Sequence, residues 1–275
     1  MTFLKRSIFC GLLTAMLLST PAQAVAAAPA EETVRTERTV PVQIDGHLLD
    51  WSGIVRQGVT YVPLRNLLDT LGGWTLTWDA GTRTAVAVSG DRRLTADPTA
   101  DTITLDGVSR SGKVSVEQGR TVVPLRLVGE LLGAQVEWDG YLSGAAVTSS
   151  DAAYNAVDYY WLSRIISAES QGEPLEGQIA VGNVVLNRVA SSQFPDSIAG
   201  VVFDRQYAVQ FEPVENGTVY NHPYHLSLEA AARVLDGETS VDGALYFYAP
   251  ALSPGTWINA NRTYLTTIGC HRFYL

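Results

Sequence analysis

The sequence predicts an α+β protein, with a β-rich stalk of two repeats followed by a mainly helical domain that contains a small sheet. Two observations support this prediction. In residues 39–150 the same motifs occur twice at a nearly constant interval, and each unit has the pattern strand, short helix, strand. In residues 151–275 apolar residues instead recur at helical spacing.

Residues 1–24 are expected to form a secretory signal peptide. Lys5 and Arg6 precede an apolar run over residues 8–18, and the small residues from Ala22 to Ala24 are typical of a cleavage site. The run is too short to span a membrane, and no later segment qualifies, so no integral membrane segment is expected after cleavage. An uncleaved anchor is the less favoured alternative. Residues 25–38 are interpreted as a linker.

Composition and charge exclude several classes of function. With 46% hydrophobic and 17% charged residues, the chain has enough apolar material for packed cores. Loss of the signal peptide removes two of 19 basic residues and none of the 28 acidic ones, so the net charge changes from −9 to −11. Nucleic acid is therefore not expected as a partner, and any anionic ligand has to be recognised through short-range contacts. Cys270 is the only cysteine after residue 24, which excludes an intrachain disulfide.

The stalk, residues 39–150, is predicted from an internal repeat. The proline of each Val-Pro-Leu-Arg motif is suited to opening a helix, and the glycine of each following Leu-Gly pair is suited to closing it. The motif pairs, at offsets of 61, 61 and 60 residues, are Ile44-Asp45-Gly46 with Leu105-Asp106-Gly107, residues 62–65 with 123–126, and Trp78-Asp79 with Trp138-Asp139. Arg65 and Arg126 follow the prolines and are expected to make structural hydrogen bonds or to contact a glycan.

The second domain, residues 151–275, is expected to begin with helices over residues 155–170 and 174–190. Further helices are expected over residues 197–203 and 227–236, the last capped by Ser227 and closed around Gly237.

Glu169 is the candidate catalytic residue. Leu162, Ile166 and Glu169 share one helix face, so the carboxylate continues an apolar stripe up to the break at Gly172-Glu173-Pro174. Burial and the negative end of the helix dipole both oppose ionisation, which suits a proton donor near neutral pH. The alternative is a structural glutamate paired with Arg164 or Arg188.

From about Tyr159 onward the chain resembles the SleB-type cell-wall hydrolases, which include spore cortex-lytic enzymes. Six blocks in one order carry the resemblance: residues 168–174, 176–181, 186–189, 211–218, 243–250 and 267–274. The resemblance implies a lysozyme-like fold in which Glu169 is catalytic, and Glu169-Ser170 is similar to the Glu-Ser pair of soluble lytic transglycosylases. Cys270 departs from the family's usual polar residue at that position. The amino-terminal half departs from the peptidoglycan-binding repeat of the best-known members.

Residues 39–150 instead resemble the stalk domain named for the amino-terminal region of copper amine oxidases. The chain has no His-x-His pair for copper and no Asn-Tyr-Asp/Glu motif from which a quinone could form, so no oxidase chemistry and no cofactor are expected.

Substrate contacts are expected from Ser170, Gln210, Tyr246, Trp257 and His271. Residues 151–275 hold 17 of the 25 aromatic residues, and flat apolar rings are what a sugar-binding cleft needs. Tyr246 and Tyr248 should share one strand face, with Phe247 on the other. Gln210 precedes a motif block, where its amide is suited to an N-acetyl group.

No metal site is expected. His222 and His225 are three residues apart, but Pro223 intervenes and no third ligand is near in sequence. Cys270 and His271 are adjacent in a predicted strand and would point to opposite faces, which argues against a cysteine peptidase.

The resemblance therefore implies cleavage of peptidoglycan glycan strands between N-acetylmuramic acid and N-acetylglucosamine, in the cell wall or spore envelope. A lytic transglycosylase would leave 1,6-anhydromuramic ends. The alternatives are a hydrolytic muramidase, in which water attacks, and a non-catalytic wall-binding protein.

Overall fold

The structure is a computed structural model that describes residues 37–206 and 209–275, all within one compact unit. The predicted signal peptide and nearly all of the predicted linker lie outside the described residues. The α+β prediction is confirmed, with a β-rich amino-terminal part and a mainly helical carboxy-terminal part. In the described ranges, no helix has the length and apolar character that crossing a bilayer requires.

The stalk contains twelve strands and two short helices. In chain order they are β1 (Arg38–Ile44), β2 (His47–Arg56), β3 (Val59–Pro63), α1 (Leu64–Leu71), β4 (Thr75–Asp79), β5 (Thr84–Ser89), β6 (Arg92–Asp97), β7 (Thr102–Leu105), β8 (Val108–Ser111), β9 (Ser115–Glu117), β10 (Arg120–Pro124), α2 (Leu125–Leu131), β11 (Gln135–Asp139) and β12 (Gly144–Thr148). β1 begins at Arg38, which the sequence had assigned to the linker.

The two repeats are related by a pseudo-twofold axis. β3 and β10 pair antiparallel with Val62 opposite Val123, two residues separated by the 61-residue offset of the repeat. Pro63 and Pro124 occupy the N-caps of α1 and α2 with φ of −63° and −64°, as the sequence predicts. Both helices pack their leucines into one shared core beneath the sheets.

The repeats differ in how their last strands pair. β12 joins β1 in parallel, which completes a seven-stranded sheet in the order β11-β12-β1-β2-β3-β10-β9. β5 pairs with the additional strand β6, so the first repeat contributes to a separate five-stranded antiparallel sheet, β4-β5-β6-β7-β8.

The helical domain has six α-helices and a three-stranded sheet within the described residues. The elements are α3 (Ala156–Ser170), α4 (Leu175–Ala190), α5 (Ile198–Val202), α6 (Glu212–Asn216), a 3-10 turn (Thr218–Tyr220), α7 (His225–Leu235), β13 (Tyr246–Tyr248), α8 (Thr256–Asn261), β14 (Tyr264–Ile268) and β15 (His271–Tyr274). The four helices expected from the sequence are present to within two residues at each end. The short helices α6 and α8 were not expected.

One capping prediction is wrong. Helix α7 begins two residues before Ser227, at His225, and Tyr224 is its N-cap without a side-chain hydrogen bond. Ser227 is fully buried, and its hydroxyl donates to Gln178 Oε1 at 2.7 Å, which joins α7 to α4. Gly237 follows the helix with φ of +95°, as expected of a closing glycine.

Helices α3, α4 and α7 pack closely at the centre of the helical domain. At Gly182 of α4 an added Cβ would lie 2.8 Å from Ile166 Cδ1 and 2.9 Å from Val234 Cγ2, so only glycine allows α4 to approach both neighbours. Trp161 of α3 is fully buried at the other side of the core.

The stalk contacts α3 at its beginning and at its second turn. Asn155 caps α3 by accepting from the amides of Val157 and Asp158, while its Nδ2 donates to Glu137 Oε1 of β11 at 3.0 Å. One turn later, Trp161 Nε1 donates to Asp139 Oδ2 at 2.8 Å. The helix that carries Glu169 is therefore held by strand β11 of the stalk.

Substitution Asp139→Asn is expected to reduce the free energy of unfolding by about 1–3 kcal/mol. Asp139 is 3% exposed, and its Oδ1 already accepts from the amides of Tyr141 and Leu142. An asparagine oxygen would retain those two bonds and turn its NH₂ toward the indole N–H, leaving two buried donors facing each other. Denaturant unfolding measures the effect.

Asp79→Asn is the matched control. Asp79 occupies the equivalent place in the first repeat, where its Oδ1 accepts from the amides of Gly81 and Thr82, but its side chain is exposed. Its substitution should cost about 0.5 kcal/mol or less. Equal effects at the two positions would show that the Trp161 bond contributes nothing to stability.

Candidate active site

Glu169 lies in the last turn of α3, one residue before the helix ends at Ser170. The chain then turns through residues 171–174 and enters α4 at Leu175. The Glu169 carboxylate is largely surrounded by protein, and this burial disfavours its anion.

The environment of Glu169 keeps it protonated near neutral pH. Burial is the largest cause, the negative charge of Glu212 adds to it, the positive charge of Arg188 opposes both, and together they raise the pKa of Glu169 to about 7. Among the described residues, no cationic side chain lies within 4.0 Å of the Glu169 carboxylate. The alternative in which Glu169 forms a structural ion pair with Arg164 or Arg188 is therefore wrong.

Arg188 of α4 is the cationic residue whose charge lowers the pKa of Glu169. It is 5% exposed, and its Nε donates to the carbonyl of Leu245 at 2.8 Å. The guanidinium carbon lies 4.9–5.7 Å from three ring centroids, those of Phe194, Phe211 and Tyr246. Burial lowers the pKa of Arg188 to about 10. Arg188 therefore acts on Glu169 as a fixed positive charge without a direct salt bridge.

Tyr246 and Trp257, which were both expected to line a cleft, lie next to each other. Their ring centroids are 6.2 Å apart, and the guanidinium of Arg262 lies over both, at 4.3 Å and 5.1 Å. Tyr246 also approaches Arg188, which joins this aromatic wall to the surroundings of Glu169. Trp257 is 57% exposed, and a sugar contact from it stays a prediction.

Phe247 points to the opposite face of β13, as predicted. It stacks on Phe273 with a centroid distance of 5.9 Å and packs into the core.

The structure gives Ser170 and His271 buried positions. Ser170 is 3% exposed, and its hydroxyl donates to the carbonyl of Ile166 at 2.7 Å. His271 is 7% exposed beside Phe247, and burial lowers its pKa. Gln210 lies half-buried in the segment before α6. Substrate contacts from these three residues stay predictions.

Glu173 has a structural role that the sequence did not indicate. Its Oε2 accepts from the amide of Cys270 at 2.8 Å, and its Oε1 lies 3.8 Å from Nδ1 of His271. Gly269, with φ of +55°, allows this approach because an added Cβ would collide with the carboxylate. Glu173 thereby fastens the β14–β15 hairpin to the turn after Glu169.

A polar cavity of about 660 Å³ lies against the last two turns of α3, beside Ala168 and Gln171. Its other walls come from Arg164, Ser167 and the residues between α6 and α7: Asn216, Thr218, Asn221, His222, Pro223 and Tyr224. Arg164 is 4% exposed and stacks on Tyr160 at 3.4 Å from the ring centroid. The sequence analysis missed this cavity, because its walls are joined only by tertiary contacts.

No group of three or more His, Cys, Asp or Glu side chains arranged to hold a metal is found among the described residues. His222 and His225 in particular do not converge with a third ligand. Among the described residues, the charged groups that shift the pKa of Glu169 are Glu212 and Arg188.

Two family models match separate parts of the chain. The cell wall hydrolase family model matches residues 172–274, beginning three residues after Glu169, and the copper amine oxidase N-terminal domain model matches residues 43–145. The chain is 33% identical over 129 residues to the spore cortex-lytic enzyme of Bacillus subtilis (strain 168), a match that covers 47% of this chain and 41% of that protein. The chain thus spans about two-fifths of that relative's length.

Two further matches lie in the same half of the chain. The catalytic domain of the germination-specific lytic transglycosylase SleB from Bacillus anthracis is 32% identical, with a TM-score of 0.41, over 45% of this chain and 98% of that one. The cell wall hydrolase CwlJ of Oceanobacillus iheyensis is 30% identical over 111 residues, which are 38% of this chain and 77% of that protein. A match that spans three-quarters of CwlJ, together with the family model over residues 172–274, shows that the chain belongs to the cell wall hydrolase family.

Proposed function

We propose that this protein cleaves the glycan strands of peptidoglycan between N-acetylmuramic acid and N-acetylglucosamine, with Glu169 as the proton donor. The observation that carries the proposal is a carboxylate with a pKa of about 7 at the buried end of α3, with no cation bonded to it. Family membership supports the substrate class, and relatives named spore cortex-lytic enzymes support action in the spore envelope or cell wall.

The first step is general acid catalysis. Protonated Glu169 donates its proton to the bridging glycosidic oxygen, the bond from that oxygen to the muramic anomeric carbon breaks, and an oxocarbenium-like centre develops. Glu169 becomes an anion in this step. The fixed charge of Arg188 favours that anion, so the arrangement stabilises the carboxylate at the moment it forms.

We propose that the second step is intramolecular. The ionised Glu169 accepts the proton of the muramic 6-hydroxyl as its oxygen bonds to the anomeric carbon, which yields a 1,6-anhydro ring and restores protonated Glu169. Support comes from the neighbouring carboxylates: Glu173 is bonded to the Cys270 amide, and Glu176 is exposed in the first turn of α4.

The effect of Glu212 on Glu169 favours the second candidate function, a hydrolytic muramidase. Glu212 is the one acidic residue whose charge raises the pKa of Glu169, and as the first residue of α6 it is exposed to solvent. A second carboxylate in that position would activate water. The non-catalytic alternative, a wall-binding protein, makes no use of the raised pKa of Glu169.

Substitution Glu169→Gln should reduce glycan cleavage by about 10²–10⁴-fold, because the amide keeps the shape of the side chain and has no transferable proton. Release of soluble fragments from purified peptidoglycan measures the loss. Glu176→Gln is the control, since Glu176 is exposed and only seven residues away; it should retain most activity. A folded Glu169→Gln protein with near-normal activity would place the acid elsewhere.

Relative to the unmodified protein, Glu169→Gln should stabilise the fold more at high pH than at low pH. The pKa of Glu169 in the folded protein is above its ordinary value of 4.5, so the native state holds the proton more tightly than the unfolded chain does. The contribution of Glu169 to stability is therefore fully present below pH 4.5 and is lost as the pH rises through 7. Removing the ionisable group should restore up to about 3 kcal/mol at pH 8 and almost nothing at pH 4.5. Denaturant unfolding at the two pH values measures this, and a difference independent of pH would contradict it.

The products distinguish the two enzymatic mechanisms. Mass spectrometry of digested peptidoglycan should show ends that resist borohydride and are lighter than the hydrolysis product by one water. Glu212→Gln should then have a much smaller effect than Glu169→Gln. Reducible muramic ends, with Glu212→Gln as inactive as Glu169→Gln, would establish a two-carboxylate muramidase. Absence of any cleavage by the unmodified protein would leave the wall-binding alternative.

A further inference from the structure

The pseudo-twofold axis of the stalk creates two equivalent surface grooves. Each is formed by the tryptophan strand and helix start of one repeat, together with the hairpin strand of the other repeat. Groove A contains Trp78 and Arg65 from the first repeat and Arg120 from the second, with a volume of about 680 Å³. Groove B contains Trp138 and Arg126 from the second repeat and Val59 from the first, with a volume of about 250 Å³.

In groove B the protein's own side chains contact the indole and neutralise the cation. The guanidinium carbon of Arg38 lies over the Trp138 ring, 5.4 Å from its centroid. Arg126 lies 3.7 Å from Glu130 in an ion pair. Glu137 adds a carboxylate to the groove wall and bonds to Asn155.

Groove A lacks each of these features. Trp78 is 48% exposed and Trp138 44%, but no guanidinium lies over the Trp78 ring among the described cation–ring contacts. Arg65 donates from Nη2 to the carbonyl of Leu76 at 3.2 Å, and neither Arg65 nor Arg120 has a carboxylate within 4.0 Å in the described part of the chain. Thr77 stands where groove B has Glu137.

No acidic residue lines groove A, although the chain as a whole carries a net charge of −9. Two guanidinium groups beside an exposed indole form a positively charged site on an otherwise acidic protein. An indole offers a flat apolar surface to the C–H face of a sugar, and guanidinium forks bind carboxylates with two parallel hydrogen bonds.

We propose that groove A is a binding site for an acidic glycan, in which a sugar ring stacks on Trp78 and a neighbouring carboxylate pairs with Arg65 and Arg120. The ligand class is the carboxylate-bearing peptidoglycan strand, and this identification rests on the proposed function. Groove B is the equivalent site, in which Arg38 lies over the indole and Glu137 adds a negative charge. The stalk therefore holds the protein on the wall through one of its two grooves.

The test uses the full chain carrying Glu169→Gln, so that the wall material is not consumed during the measurement. Sedimentation with insoluble peptidoglycan, from which attached phosphate polymers have been stripped by acid, gives the dissociation constant. Trp78→Ala should weaken binding about 10-fold, and Trp138→Ala, the matched control, less than about twofold. Trp78→Tyr should retain most binding, because it keeps an aromatic face.

Charge is tested separately. Arg65→Gln combined with Arg120→Gln should weaken binding and remove most of its dependence on salt, since the ion pairs with carboxylates are screened by salt. Uncharged chitin should bind weakly to every variant. Circular dichroism and thermal unfolding establish that each variant is folded.

Three outcomes would overturn the proposal: equal losses for Trp78→Ala and Trp138→Ala, no loss for either, or binding that disappears when the phosphate polymers are stripped. The last would identify a phosphate ligand in place of the peptidoglycan carboxylate. The cleavage of soluble glycan by Trp78→Ala with Glu169 intact should match that of the unmodified chain. If wall binding through groove A is absent, glycan cleavage can still be measured. If glycan cleavage is absent, wall binding can still be measured.

Discussion

The active end of the helical domain depends on the buried guanidinium of Arg188. Removing a cation from water is costly, and here the carbonyl of Leu245 and three aromatic rings offset part of that cost in place of a carboxylate, while Nη1 is buried without a hydrogen-bond partner. These contacts of Arg188 join α4 to β13 and to the residues before α6. They also leave Glu169 without a bonded cation, so that its proton is retained near neutral pH while a positive charge remains close enough to favour the anion.

Elements that depend on local signals could be predicted from the sequence. The stalk helices follow from a proline at each start and a glycine after each end, and the central pairing of β3 with β10 agrees with the repeat offset. The division of the stalk into two sheets could not be predicted. It depends on β6, which separates β5 from the strand it would otherwise meet, and strand order is a non-local property.

The candidate site shows the same distinction. The helix face of Glu169 and the break that follows it are local features that made it a candidate, and the resemblance to the cell-wall hydrolases added the catalytic prediction. Glu173 could not be assigned its structural role, because the amide that it binds belongs to Cys270, 97 residues later. Burial of Ser170 and His271 likewise follows from packing between distant segments. Arg262 reaches Tyr246 only because the sheet returns the end of the chain to β13.

The contacts between β11 and α3 have a consequence for how the two repeats can diverge. In the second repeat, Glu137 and Asp139 hold the helix that carries Glu169, so a substitution there is felt in the other half of the protein. Among the described side-chain hydrogen bonds, none joins the equivalent strand β4 to α3. Asp79 accepts hydrogen bonds from amides of its own turn. One copy of the unit is thus fixed by its contacts with the helix that carries Glu169, whereas the other copy can accept substitutions on its surface without displacing that helix.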